Sequence, residues 1–129
     1  MTEKHIQAAI RLALGGRDVV LWRNESGATV QVTRGELEAL LEGADDPTFV
    51  KRILQLMLRR GVITYGLCKG SSDLIGLRRD GRFVALEVKT LRGRHRPEQE
   101  RYVELVQSFK GLAGFVTSVE EARNIINAH

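Results

Sequence analysis

The sequence predicts an α/β fold in which a mixed central β-sheet is flanked by helices. Two apolar runs, at 74–77 and 83–88, enclose an Asp80-Gly81 turn and predict an antiparallel hairpin. A helical pattern that opens at Pro97 then leads to another apolar run at 112–116. Such a strand-helix-strand passage is typical of a parallel crossover. Because both kinds of strand pairing are predicted, we expect a mixed sheet.

The composition is that of one folded domain. The chain has 129 residues, of which 43% are hydrophobic and 28% charged, so we expect a single domain at 1–129. The net charge of +4 favours a polyanionic partner, although many basic proteins bind no nucleic acid. The sequence contains no apolar run of membrane-spanning length and no signal peptide, so we expect no membrane association. The single cysteine, Cys68, excludes an internal disulfide and favours a reducing cytosol.

The N-terminal part predicts a helix and then a strand. The helix is expected over about 2–14, because Thr2 is a suitable N-cap and two glycines end the pattern. Ile6, Ile10 and Ala13 form its buried stripe. A strand at about 19–22 follows.

Residues 33–61 predict a helical insertion. Thr33 and Glu36 form a capping box for one helix, and Asp46-Pro47 opens a second. The second helix carries a basic face, which indicates a hairpin that faces DNA or a partner. An ordinary amphipathic pair with a solvated basic face is the alternative. The basic residues are Lys51, Arg52, Arg59 and Arg60.

The remaining elements complete the predicted sheet and its cover. A strand at 62–67 leads into the loop before the hairpin. The helix that opens at Pro97 turns Tyr102, Val103, Val106 and Phe109 inward. Ser118 and Glu121 cap a last helix.

Asp73, Glu87 and Lys89 flank the predicted hairpin and form the main candidate site. Glu87 and Lys89 are two residues apart on one strand, so they leave the same face. Carboxylate oxygens suit a hard divalent cation such as Mg²⁺ or Mn²⁺ rather than zinc. A lysine beside them orients water or stabilises charge that develops on phosphorus. The alternative is an unpaired Glu and Lys on a half-exposed strand.

Two strand registers compete in the hairpin. A two-residue loop at Asp80-Gly81 pairs Asp73 with Val88 and sends Glu87 to the opposite face. A three-residue loop with Gly81 in the left-handed conformation pairs Asp73 with Glu87, whose Cβ atoms would lie about 5 Å apart. Two like charges at that distance repel each other unless a cation lies between them. We favour this second register.

Two polar segments lie beside the trio. Ser71 and Ser72, after Lys69 and a glycine, are positioned to donate hydrogen bonds to a phosphate, and a plain turn is the alternative. The segment 90–96 is the most basic of the chain and favours phosphate contacts, with a solvated loop as the alternative. His95 either acts there as an acid or base or adds a further contact to the DNA backbone, and we prefer the second interpretation. The basic residues of this segment are Arg92, Arg94, His95 and Arg96.

Two further residues face the expected site from helices. Gln99 lies one turn before the inward residues of its helix, so it holds water or the lysine, or else satisfies backbone groups at the helix start. Glu3 sits one turn before Ile6 on the inward side of the first helix. It is either a third carboxylate near the metal or a first-turn residue that favours the helix dipole.

These motifs resemble the virus-type replication-repair nuclease (VRR-NUC) domain of the PD-(D/E)XK nuclease superfamily, which has a restriction-endonuclease-like fold. The close resemblance covers roughly 62–120 and rests on four segments, with a less specific match at 23–28 and in the first helix. The four are Gly70-Ser71-Ser72-Asp73-Leu74-Ile75-Gly76, Asp80-Gly81-Arg82-Phe83, Glu87-Val88-Lys89-Thr90, and Gly93-Arg94 with Pro97-Glu98-Gln99.

The resemblance implies a set of roles for the site residues. Asp73 and Glu87 are implied to bind metal, with help from the backbone carbonyl of Val88. Lys89 is implied to be the catalytic lysine. Gln99 matches the helix glutamine of the motif, and Glu3 is a weaker match to an acidic residue of the first helix.

The function expected from this resemblance is metal-dependent hydrolysis of DNA phosphodiester bonds. Family members of this size resemble dimeric, structure-selective enzymes that cut four-way (Holliday) junctions, so we expect a junction-resolving homodimer. Two alternatives stay open. One is a monomeric nuclease that cuts flaps, nicks or duplex DNA, and the other is an inactive DNA-binding module.

Overall fold

The computed structural model describes all 129 residues, which divide into two compact units. The first unit comprises Met1–Ser26 with Gly66–His129, and the second comprises Gly27–Tyr65. Whether the chain acts as the single domain predicted above stays a prediction. In chain order the elements are α1 (Glu3–Leu14), β1 (Val19–Arg23), β2 (Gly27–Val30), α2 (Arg34–Glu42), α3 (Pro47–Arg59), β3 (Val62–Tyr65), β4 (Leu74–Arg78), β5 (Phe83–Val88), α4 (Pro97–Ser108), β6 (Leu112–Val116) and α5 (Val119–Ile126).

The first unit contains the predicted mixed sheet. Its strand order is β1-β4-β5-β6. The first two pairings, β1 with β4 and β4 with β5, are antiparallel, and β5 with β6 is parallel. The prediction of an antiparallel hairpin joined to a parallel crossover is therefore confirmed.

Helices cover both faces of this sheet. Ile6 and Ile10 of α1 pack with Ala122 and Ile126 of α5 against one face. On the opposite face, α4 packs its buried valines against Ala85 and Ala113. The predicted N-caps Thr2 and Ser118, and Pro97 at the first helical position of α4, are confirmed. The flanked mixed sheet agrees with the predicted nuclease-like fold.

The hairpin adopts the register that brings the carboxylates together. Leu77 pairs with Phe83 and Leu74 with Leu86, and the Arg78 N–H donates to the Arg82 carbonyl at 2.9 Å. Three residues remain in the loop, and the last of them, Gly81, has φ +90°. A left-handed third residue is what a three-residue hairpin requires, so the two-residue alternative is wrong.

Some predictions about individual elements are wrong. The strand predicted at 62–67 ends at Tyr65 and pairs with β2, which the sequence analysis missed, so it does not join the central sheet. Ala13 is exposed although it was assigned to the buried stripe of α1. Phe109 is 81% exposed because α4 ends at Ser108. Its position beyond the last helical turn removes it from the inward stripe.

The second unit consists of a helical pair and a two-stranded ribbon. In α2, Thr33 and Glu36 form the predicted capping box, and Asp46 caps α3 with Pro47 in the first turn. Arg60 pairs with Glu36 through two contacts of 2.6 Å, and this guanidinium lowers the pKa of the Glu36 carboxyl to about 2. Compared with the predicted insertion at 33–61, the unit has one additional strand on each side, β2 before it and β3 after it.

The helices are short relative to a bilayer. None of them combines the length and the apolar content that a membrane span requires.

Candidate functional site

Asp73 and Glu87 meet at the end of the β4–β5 hairpin. Because Leu74 pairs with Leu86, the preceding Asp73 lies opposite Glu87. Asp73 reaches across the hairpin, where its Oδ2 accepts a hydrogen bond of 2.9 Å from the Val88 N–H. Burial and then the Asp73 carboxylate raise the pKa of Glu87 from 4.5 to about 8. The structure thus confines two acidic groups that repel each other when both are ionised.

Lys89 lies beside this pair on the same face of the sheet. Its Nζ is 3.9 Å from Glu87 Oε1, and its positive charge partly offsets the rise in the pKa of Glu87. Only 8% of Lys89 and 2% of Glu87 are exposed. The alternative of a half-exposed, unpaired Glu and Lys is therefore wrong.

Gln99 connects α4 to the carboxylate pair. Its Nε2 donates a hydrogen bond of 2.9 Å to Glu87 Oε1, and its Oε1 accepts one from the Arg96 N–H at 3.1 Å. The side chain therefore both satisfies a backbone donor at the helix start and fixes the glutamate. Gln99 forms no hydrogen bond with the Lys89 ammonium.

The loop before β4 is held by Asn24, a residue that the sequence analysis did not select. Its side-chain amide donates to Ser71 Oγ at 2.8 Å and to the Ser72 carbonyl at 2.9 Å. Its backbone N–H donates to the Asp73 carbonyl at 2.7 Å. The only available signal was its place in the segment 23–28, which resembles the family less specifically.

Gly70 lets the same loop approach α4. It has φ +86°, and a Cβ atom built there would lie 2.4 Å from the Glu98 carbonyl oxygen. Both the left-handed backbone and the close contact exclude a side chain. The glycine therefore seats the loop against the first turn of the helix that carries Gln99.

The two loop serines are both buried. Ser72 is fully buried and its Oγ has no hydrogen-bond partner, while Ser71 is 7% exposed and accepts from Asn24. Their role as phosphate donors stays a prediction. Lys69, which precedes them, is exposed.

The basic segment after β5 is available to a ligand. Arg92, Arg94 and Arg96 are exposed, and none of them forms an ion pair. His95 stacks on Phe115 of β6, with ring centroids 3.7 Å apart and an interplanar angle of 8°. One face of the imidazole is therefore occupied, and the ring attaches the basic segment to the sheet rather than being free on both sides.

Glu3 is close enough to affect the site but does not complete a cluster. Its carboxylate contributes to the raised pKa of Glu87. Even so, no three carboxylate, imidazole or thiol side chains come close enough together to hold a metal ion. The protein ligands offered by side chains are therefore those of Asp73 and Glu87.

A family comparison agrees with this geometry. The sequence model of the VRR-NUC domain matches residues 41–120, more than half of the chain. The chain belongs to the VRR-NUC family. No curated protein and no solved structure matches it significantly.

Membership of the VRR-NUC family indicates a nuclease of the PD-(D/E)XK type, with DNA as its substrate. The matched region contains Asp73, Glu87, Lys89 and Gln99, whereas Glu3 lies outside it. It also begins before α3, so it includes much of the segment that the sequence analysis treated as an insertion.

The site of this VRR-NUC domain has the donors that a hard divalent cation requires. Glu87 Oε2 is buried and has no hydrogen-bond partner, although a carboxylate oxygen in that position normally has one. It lies beside a second carboxylate, so a cation would satisfy the open oxygen and remove the repulsion. Nuclease families of this kind typically use divalent metals, and oxygen-only ligands suit Mg²⁺ or Mn²⁺.

Proposed function

We propose that this VRR-NUC protein is a Mg²⁺- or Mn²⁺-dependent, structure-selective DNA endonuclease that resolves four-way junctions as a homodimer. The observation that carries the proposal is the trio of Asp73, Glu87 and Lys89, in which Glu87 and Lys89 are buried and Asp73 is half-buried. The trio lies between a tightly held loop and an unpaired basic segment. A trio of this kind is suited to phosphodiester hydrolysis. We also propose a cytosolic location, in keeping with the single, unpaired Cys68.

In this proposal the two carboxylates of the trio bind the cation, and the lysine acts on the attacking water. Asp73 and Glu87, with the Val88 carbonyl, hold the cation, and Gln99 keeps Glu87 in its orientation. When bound, the cation supplies positive charge beside the scissile phosphate and favours deprotonation of the attacking water. Lys89 orients that water and stabilises the negative charge that develops during in-line attack.

The basic segment supplies the substrate contacts. Arg92, Arg94 and Arg96 bind phosphates that flank the scissile bond, and His95 keeps the segment against β6. Lys69 adds a phosphate contact on the other side of the trio. Contacts to phosphate position the DNA without reading its sequence, which agrees with recognition of structure rather than of a base motif.

The choice of a four-way junction rests on the resemblance to stand-alone family members. A junction has two equivalent strands to cut, and a two-fold symmetric homodimer offers two equivalent sites.

A cleavage comparison tests the proposal. The protein is incubated with a labelled four-way junction, a flap and a linear duplex of matched sequence, each with Mg²⁺, Mn²⁺ or a chelator, and cut sites are mapped. We expect paired nicks in symmetry-related arms of the junction, dependence on the metal, and little cutting of the duplex.

The other outcomes separate the alternatives. Equal cutting of flap or duplex would contradict junction selectivity and leave a general nuclease. Binding of all substrates without any cutting would contradict hydrolysis and leave the DNA-binding module. Cutting in the presence of chelator would contradict the metal requirement.

A further inference from the structure

The second unit, Gly27–Tyr65, buries very little of its apolar surface. Of the seventeen buried hydrophobic residues of the chain, only Met57 belongs to it. It holds nine of the eighteen exposed large hydrophobics, although it has less than a third of the residues. Units below about 40 residues usually need a disulfide, a metal or association with another chain to be stable. The unit has no cysteine, and no metal-binding cluster occurs in the chain.

The exposed apolar residues form short stripes on both helices. Leu37 and Leu41 are four residues apart on α2, and so are Leu54 and Leu58 on α3, so each pair lies on one side of its helix. The exposed fractions of these four side chains are 52%, 79%, 46% and 68%. Exposed pairs of this kind on neighbouring helices indicate an interaction surface rather than scattered surface leucines.

The charges of the unit argue against DNA or an acidic lipid surface as its partner. It contains five basic and five acidic residues, so its formal charge is zero while the whole chain has a charge of +4. A surface that binds a polyanion through phosphate contacts needs an excess of positive charge. In this unit the positive charges of the arginines and the lysine are offset by an equal number of carboxylates.

The same charges are separated in a self-complementary way. Besides Asp46, which caps α3, and the pairs Arg34–Glu38 and Arg60–Glu36, two exposed acidic residues remain. They are Glu42, which ends α2, and Asp45, which follows it. The unpaired basic residues Lys51, Arg52 and Arg59 lie on α3 and are also exposed. In a two-fold interface each contact occurs twice, so the acidic end of one α2 meets the basic α3 of the other copy.

We propose that Gly27–Tyr65 is the surface through which two copies of this chain associate. The apolar pairs on α2 and α3 pack against those of the second copy, and Glu42 and Asp45 face Lys51 and Arg52 across the interface. The inference deepens the homodimer of the proposed function by locating its contact surface. It does not depend on the cleavage chemistry.

A leucine double variant tests the apolar part. Sedimentation equilibrium measures the dimer dissociation constant of the wild type, of Leu54→Gln with Leu58→Gln, and of the control Leu12→Gln, which changes an exposed leucine of α1. We expect the dissociation constant of the double variant to be at least about a hundredfold higher than that of the wild type. Burial of one leucine contributes roughly a factor of ten or more to association. The control should match the wild type.

A pair of charge reversals tests the self-complementary arrangement. One variant carries Glu42→Lys and Asp45→Lys, and the other carries Lys51→Glu and Arg52→Glu. Each alone should be monomeric because like charges then face each other. Mixed in equal amounts, the two should form a heterodimer, because all opposing charges are again of opposite sign.

The outcomes distinguish this inference from the proposed function. If the wild type is a dimer and the leucine and charge variants remain dimers, the inference is wrong while the homodimer survives. If the wild type is a monomer at all concentrations, both the inference and the homodimer are wrong. The Lys89→Ala protein should dimerise normally, so loss of cleavage alone does not affect the inference. Circular dichroism of each variant checks that dissociation does not result from unfolding.

Discussion

At the scale of single residues, the central feature is the buried ammonium of Lys89 beside two carboxylates. A carboxylate such as Glu87, of which 2% is exposed, is stable there only with compensating partners. Gln99 and Lys89 supply two of these partners through Glu87 Oε1, and Oε2 remains without one. The Lys89 ammonium therefore supplies only part of the positive charge that the two carboxylates require, and a cation would supply the rest.

Lys89→Ala should greatly slow cleavage while DNA binding persists. The ammonium stabilises charge that is present only in the transition state, so its removal should lower the cleavage rate by about 10²–10³-fold. Single-turnover cleavage and equilibrium binding of the same labelled junction measure the two effects separately.

A second lysine provides the matched control for this variant. Lys110→Asn removes the same charge at a position with φ +65°, which asparagine tolerates. It should cleave at the wild-type rate. Unchanged cleavage by Lys89→Ala would remove this residue from the mechanism, and equal loss in both variants would indicate a general charge effect.

At the scale of elements, the site depends on how three segments are attached to the sheet. Asn24 after β1 holds the loop before β4, Gly70 seats that loop against α4, and His95 attaches the basic segment to β6 through Phe115. Each attachment joins residues distant in sequence. The basic segment keeps its three arginines free of ion pairs, so their charges are available to phosphates.

Changing Arg92, Arg94 and Arg96 together to Gln should weaken DNA binding and reduce its salt dependence. Each phosphate contact to duplex DNA contributes about −0.9 to the slope of log K against log salt, so the loss of three contacts should change the slope by about 2–3. Fluorescence anisotropy at several salt concentrations measures it.

The control for the basic segment is Arg11→Gln, compared with Arg94→Gln as a single change. Arg11 is an exposed arginine of α1 with no ion pair. Only Arg94→Gln should reduce the slope. If both variants reduce it equally, the basic segment has no special role and binding follows the net charge of the chain.

At the scale of the whole molecule, the repulsion in the site is coupled to the stability of the fold. Burial raises the pKa of Glu87 from 4.5 to about 8, with additional repulsion from Asp73 and Glu3 and partial relief from Lys89. In the unfolded chain this glutamate loses its proton near its ordinary pKa. Ionisation therefore favours unfolding in the range between the two values.

The metal-free protein should lose stability as the pH rises from about 4.5 through about 8. Glu87 keeps its proton in the folded protein over this range, whereas it loses it in the unfolded chain. The stability that this proton contributes is therefore fully present below the pKa of the unfolded state and is lost as the pH rises through the pKa of the folded state. Thermal unfolding followed between pH 5 and pH 9 with a chelator measures the decline. Glu87→Gln, which cannot ionise, should flatten it.

Addition of Mg²⁺ or Mn²⁺ at pH 8 should restore stability to the wild type and not to Glu87→Gln. A wild-type protein whose stability does not change over this range, or a variant that declines equally, would contradict the assigned cause.

Much of the fold and the trio was predictable from the sequence, because the signals are local. Thr2 and Ser118 mark helix starts because their side chains accept hydrogen bonds from the first turn, and Pro97 marks one because its φ is fixed and it lacks an N–H. Asp80-Gly81 marks the turn. Two registers competed in the hairpin, and the favoured one, in which Asp73 and Glu87 meet, is confirmed. The partner of β3 was not predictable, since a four-residue apolar strand carries no local information about which edge it pairs with.

Apart from β2, the element types could be read from the local sequence, and so could the hairpin and the identity of the residues beside it. Only the tertiary structure decided that Glu87 and Lys89 are buried, that Ser72 points inward, and that Asn24 holds the loop of Asp73. The physical reason is that burial and long-range hydrogen bonds depend on which faces of distant segments pack together, whereas caps and turns depend on the few residues that form them.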